Sequence, residues 1–248
     1  MAIITSGSLA DFSITPTDGA YKSMAAADEI DSFGVLAEVT RDAPADLFKF
    51  DVSAESRGLG LASLRLEKGF QNFLARLFNK TSDIYFLAWC WDMSGAPATV
   101  YPDAAAAPTS VLIPMEAGQV RQFMGAGVLL FPARPVTAGL AVRIQIWESA
   151  QGTRDFGKTL SAVADVIQKS KLNSLLTMIG MVTGVATATV ALVEQAALEL
   201  GKAVGDVLQA SSDDYVDFYE GYFPAAEAWN HGDVAYPGRA SEINLNRF

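Results

Sequence analysis

A protein nucleophile needs a base to take its proton, and that base is most often a histidine. This chain has one histidine, His231, and one cysteine, Cys90. Cys90 lies within Tyr85-Phe86-Leu87-Ala88-Trp89-Cys90-Trp91, the most aromatic stretch of the chain, where a thiol reads as a small buried hydrophobe. His231 lies far away in an Asn-His-Gly-Asp turn. No GxSxG elbow and no Walker A lysine loop occur, and Gly58-Leu59-Gly60 lacks the third glycine of a dinucleotide fingerprint. Zinc is excluded for want of His and Cys ligands. The expectation is that the chain is not an enzyme. The one catalytic option left is a hydrolase using carboxylates alone, and no spacing positions two of them across a scissile bond.

Oxygen ligands suffice for calcium, which can gather them from loops at one end of a sheet structure. The acids closest to strand ends are Asp92, Asp103, Glu148 and Asp155, and these are the candidate calcium ligands. None forms an EF-hand, and no other cofactor is indicated. The aromatic residues of the C-terminal part could instead stack on sugar rings. The glycan candidates are Tyr219, Tyr222, Trp229 and Tyr236.

Those residues must be held by something, and the spacing of apolar residues says what. Leu47-Phe48-Lys49-Phe50-Asp51-Val52 alternates as a half-buried strand, and so does Leu140 to Trp147, with Leu140, Val142, Ile144 and Ile146 inward and Arg143 and Gln145 outward. Asp83 to Trp91 is apolar on both faces, as suits a strand at the centre of a sheet covered on both sides. Val111 to Met115, Val128 to Phe131 and Ser241 to Asn246 read as further strands, bounded mostly by Gly and Pro turns. Tyr215 to Phe223 fits a strand, although Tyr215 and Tyr219 also fit a helical turn. Phe70, Phe73, Leu74, Leu77 and Phe78 have the spacing of a short amphipathic helix.

From Thr159 the period turns helical for about fifty residues. Leu172 to Val193 contains no charged residue, which locates the chain's low charged fraction of 19%. At 1.5 Å per residue this segment spans roughly 33 Å, enough to cross a hydrocarbon core of about 30 Å. It carries Gly180 and Gly184 at the GxxxG spacing that lets helices approach closely. Leu172, Leu176, Gly180, Gly184 and Val193 mark it as a candidate membrane or oligomer segment. Its threonines and alanines, and its lack of flanking aromatics, favour a packed helical hairpin over a constitutive span.

The 248 residues carry 18 basic and 28 acidic side chains, a formal net charge of −10, so a nucleic acid would be repelled. Met1 to Ser6 has neither the basic nor the apolar region of a secretory leader, so the expected location is cytoplasmic, or outside the cell by a signal-peptide-independent route. The single cysteine makes an intramolecular disulfide impossible.

Together these features predict one domain of the α+β class: an antiparallel β-sandwich, C2-like in outline, from residues 1–150 and 213–248, with an α-helical hairpin inserted at 157–210. The leading functional expectation is a non-catalytic binding protein whose apolar hairpin is membrane-active, inserting on a trigger as in pore-forming proteins, or self-assembling. The alternatives are a structural or interaction subunit of a homo-oligomer, or a calcium- or glycan-binding module. The partners expected are a second copy or another protein, a membrane, or a glycan.

Overall fold

The computed structural model describes residues 3–7, 51–67, 81–92, 94, 96, 98–102, 108–149, 162 and 214–248. These residues form eleven strands: β1 (Ile3–Gly7), β2 (Arg57–Leu66), β3 (Ser82–Trp91), β4 (Thr99–Tyr101), β5 (Ile113–Met115), β6 (Val120–Gln122), β7 (Val128–Arg134), β8 (Gly139–Glu148), β9 (Asp214–Pro224), β10 (Gly232–Pro237) and β11 (Ser241–Arg247). A single helical turn, α1 (Pro108–Val111), precedes β5.

All pairings are antiparallel and divide into two sheets. The first has the order β1-β9-β8-β3-β4, with β5 also on β3; the second has β10-β11-β2-β6, with β7 also on β2. One apolar cluster joins them. Ile84, Phe86, Ala88 and Cys90 of β3 and Leu140, Val142, Ile144 and Ile146 of β8 meet Leu59, Leu61, Leu64 and Leu66 of β2 and Ile243 and Leu245 of β11. Each fully buried leucine contributes roughly 1.5–3 kcal/mol relative to exposure. The architecture is a β-sandwich.

The four inward leucines of β2 break strict alternation, because the step from Leu61 to Leu64 is three residues. The partner strand shows why. Leu245 faces Leu61 while Asn244 faces Ser63, so Ala62 is one residue extra and forms a bulge. The bulge resets the parity of the strand and keeps both leucine pairs in the core.

The α+β expectation with an inserted helical hairpin is corrected: the described residues are all-β apart from the one turn of α1 and the helical Ala162. Strands β8 and β9 pair directly along their length, from Gly139↔Pro224 to Glu148↔Asp214, so the sheet satisfies its backbone hydrogen bonds with no helical layer between them. Helical periodicity in the intervening sequence gave no information about that pairing. Residues 157–210, where the hairpin was expected, lie outside the described residues except for Ala162, and so do the expected helix over 70–78 and most of the expected strand over 47–52. Among the described residues no helix is long and apolar enough to cross a membrane.

One open reading is resolved and one expectation changes. Tyr215 to Phe223 is strand throughout, within β9. Arg143 and Gln145, expected to face solvent from β8, are buried. They share their face of the first sheet with Tyr85, Leu87, Trp89, Trp91 and Trp147, all buried too, so this sheet is covered on both faces. Arg143 reaches across to the Glu220 carboxylate on β9, which compensates its charge.

Candidate functional site

After β9 the chain crosses from one sheet to the other through Ala225–His231 before starting β10. A crossing of this kind leaves carbonyls without ladder partners, and they must be satisfied elsewhere. Arg57, at the start of β2 and only 2% exposed, does this. Its Nη1 donates to the carbonyls of Phe223 (3.5 Å) and Pro224 (2.7 Å), and its Nη2 donates to those of Ala225 (2.8 Å) and Glu227. One guanidinium thus shapes the whole crossing.

The crossing carries Trp229, which is 1% exposed. Its amide N–H donates to Glu55 Oε1 (3.1 Å) and its indole N–H to the Phe248 carbonyl (3.1 Å). The guanidinium carbon of Arg57 lies 5.3 Å from the centre of the indole ring, and that of Arg247 lies 5.9 Å from it, within the range of cation–π attraction. Phe223 meets the same indole edge-on at 5.4 Å. Arg247 donates from Nη1 to the Trp229 carbonyl (3.3 Å) and from Nη2 to the Tyr236 hydroxyl (3.2 Å).

These side chains line a cleft of about 490 Å³ at the β10 edge of the sandwich. Phe223, Trp229 and Tyr236 give it aromatic walls, Arg57 and Arg247 give it positive charge, and Glu227 and Asn230 stand on its exposed rim. Its volume falls within the usual range for small-ligand sites, roughly 300–1,000 Å³. Burial lowers the Arg57 pKa from its ordinary value, with Glu55 and Tyr222 pulling the other way. His231 borders the crossing, with Nε2 3.5 Å from Glu55 Oε2.

Of the four glycan candidates, Trp229 and Tyr236 come together in this cleft. Tyr219 is buried in the core, and its hydroxyl shares a 2.8 Å hydrogen bond with Ser241 Oγ. Tyr222 is half-buried and packs over Gly139, where a Cβ would collide with its ring. Trp229, for its part, has two arginines near its faces, which leaves the partly buried Tyr236 as the more accessible aromatic side chain of the cleft.

The calcium candidates are not brought together. Asp92 follows the last residue of β3, whereas Glu148 pairs with Ile84 near its start, about 26 Å away at strand spacing. Asp92 is buried, and both its oxygens are engaged: Oδ1 by Arg134 Nη2 (3.0 Å) and Ser94 Oγ (2.6 Å), Oδ2 by the Thr137 amide (3.0 Å). Asp103 and Asp155 lie outside the described residues. Among the described residues no three His, Cys, Asp or Glu side chains converge as metal ligands. Leu172, Leu176, Gly180, Gly184 and Val193, and with them the basis of the membrane expectation, also lie outside the described residues. Cys90 is fully buried, and burial raises its pKa well above the ordinary thiol value.

The residues that sequence reading missed are Arg57, Arg247 and Phe223. Arg57 bonds to carbonyls 166 to 170 positions away, and no local pattern encodes such a contact. No protein-family model, curated protein or solved structure matches this chain.

Proposed function

We propose that this chain is a non-catalytic glycan-binding module, with the Trp229–Tyr236–Arg247 cleft as its combining site. The observation that supports the reading is the composition of that one cleft: an accessible tyrosine ring beside buried aromatics, an arginine with unused donors, and a polar rim from Asn230 and Glu227. Sugars are bound by this combination, because a ring face packs on the apolar C–H side of a pyranose while fixed donors and acceptors take its hydroxyls.

A glycan array followed by isothermal titration of the leading saccharide tests it. The expected outcome is binding that falls at least tenfold in Tyr236→Ala, with the thermal midpoint of the variant checked in parallel to confirm folding. A blank array, together with no amide shifts at millimolar saccharide, would overturn the reading.

One observation favours a second reading, that of an interaction subunit. The turn between β6 and β7 displays Met124, 96% exposed, with Val120 of β6 and Leu129 of β7 also exposed. If these residues bind a second copy, Met124→Glu lowers the mass measured by light scattering at tens of micromolar. A parent chain that is monomeric at that concentration would remove this reading.

A further inference from the structure

Three of the seven described arginines are matched to carboxylates. Arg65 pairs with Glu67 and Glu242, Arg134 with Asp92, and Arg143 with Glu220. The two arginines of the cleft are not. Arg57 and Arg247 bond only to carbonyls and to the Tyr236 hydroxyl, and neither forms an ion pair among the described residues. The Nε of each is buried with no hydrogen-bond partner. In a chain with ten more acids than bases, an arginine beside a buried indole with no carboxylate partner among the described residues, as Arg247 is, stands out, while Arg57 next to it has only the attraction of Glu55.

The two cations have different capacities. Arg57 spends both terminal nitrogens on the crossing, so it adds positive field but few free donors. Arg247 has five N–H groups, of which its hydrogen bonds to the Trp229 carbonyl and the Tyr236 hydroxyl use two. Its Nε is buried, so the donors left for a ligand are the second N–H of each terminal nitrogen, on the planar end of the guanidinium that can take a carboxylate through two parallel hydrogen bonds. Glu55 attracts Arg57 without forming an ion pair with it, and no carboxylate pairs with Arg247 among the described residues. Glu55 is engaged by the Trp229 amide and faces His231, and Glu227 is on the exposed rim.

We infer that the cleft selects an acidic saccharide, one carrying a carboxylate that docks on the Arg247 fork while its sugar ring packs on Tyr236. The inference rests on the glycan-binding reading and adds the charge of the ligand to it. Partial burial of the fork makes the charged contact worth more than it would be in open solvent, and it supplies Arg247 with the carboxylate partner it lacks among the described residues.

The test is titration of the whole chain with a uronic-acid oligosaccharide, its neutral methyl ester and a sulfated oligosaccharide of equal length. The acid is expected to bind at least tenfold more tightly than the ester, with the preference shrinking as salt rises. Arg247→Met, which keeps the apolar stem over Phe223 and Trp229, is expected to abolish the preference. Arg247→Lys, which keeps the charge but loses the fork, is expected to keep only part of it. Equal binding of acid and ester overturns the inference and leaves glycan binding standing. Tighter binding of the sulfated chain overturns the choice of carboxylate. Binding of no saccharide at all overturns the glycan reading itself.

Discussion

Replacing Asp217 by alanine is expected to loosen the two sheets from one another. Asp217 is on β9 in the first sheet and is 0% exposed. Its Oδ2 accepts from the Ala240 amide (3.1 Å), the Ser241 amide (3.2 Å) and Ser241 Oγ (3.0 Å), all at the turn between β10 and β11 in the second sheet. Its Oδ1 accepts from the Phe218 amide (3.1 Å). Gly238 belongs to the same arrangement, since a Cβ there would overlap the carboxylate. In Asp217→Ala the amides of Phe218, Ala240 and Ser241 lose their acceptor, while Ser241 Oγ keeps Tyr219. Each orphaned buried donor costs about 1–3 kcal/mol, and partial hydration of the space left behind reduces the sum to about 3–5 kcal/mol. That is a large share of a typical domain stability of about 5–15 kcal/mol. Urea unfolding followed by tryptophan fluorescence should show the midpoint lowered by about 1–2 M with the slope unchanged. Asp217→Asn, which keeps one good acceptor, should fall about halfway between. A midpoint for Asp217→Ala within about 0.3 M of the parent would refute the reasoning, because it would mean that the turn amides find other acceptors at no cost.

The remaining predictions concern backbone strain and pH. Gly127 has φ +87° and a Cβ there would overlap the Leu61 carbonyl, whereas Gly125 has φ +63° and open space around it. Gly127→Ala should therefore cost about 1–3 kcal/mol more than Gly125→Ala in the same urea assay, and equal costs would contradict the close approach of this turn to β2. Burial raises the pKa values of both Cys90 and Tyr219, so the folded chain keeps these protons where the unfolded chain, with ordinary values of 9.0 and 10.0, releases them. Unfolding then releases protons, so stability is intact below about pH 8 and declines as pH rises through 9 and 10, by up to about 1.4 kcal/mol per pH unit for each group. Urea midpoints that stay flat from about pH 8 to 10.5 would contradict it.

The sandwich was legible wherever one face of a strand meets water. Ser241-Glu242-Ile243-Asn244-Leu245-Asn246 alternates because Ile243 and Leu245 enter the core while Glu242 and Asn246 do not. Legibility failed where both faces are covered. Arg143 and Gln145 look like solvent-facing residues in a periodic strand, and only the register of β8 against β3 and β9 reveals that their face is buried too. It failed again at the cleft. Trp229 and Tyr236 were visible as aromatics, but the arginines that flank the indole come from opposite ends of the described chain. Tyr219 has the same residue type and lies in the core, so composition could not separate the two settings. The helical period after Thr159 gave a true statement about spacing and a false one about fold class, since class is fixed by which strands pair and pairing is non-local.

The pairing of Glu148 with Asp214 places the exit and the return of the long β8–β9 connection one strand spacing apart. A chain that leaves a sheet and re-enters it at a single point can grow or shrink in between without moving a strand. Closure entropy grows only slowly with the length of a connection, by about 0.6 kcal/mol per doubling, so length at this point is nearly neutral for the sandwich. The junction is therefore a natural port: a place where lineages can gain, exchange or discard whole segments, and where an engineer can splice in a foreign domain, while the cleft at the β10 edge is left undisturbed.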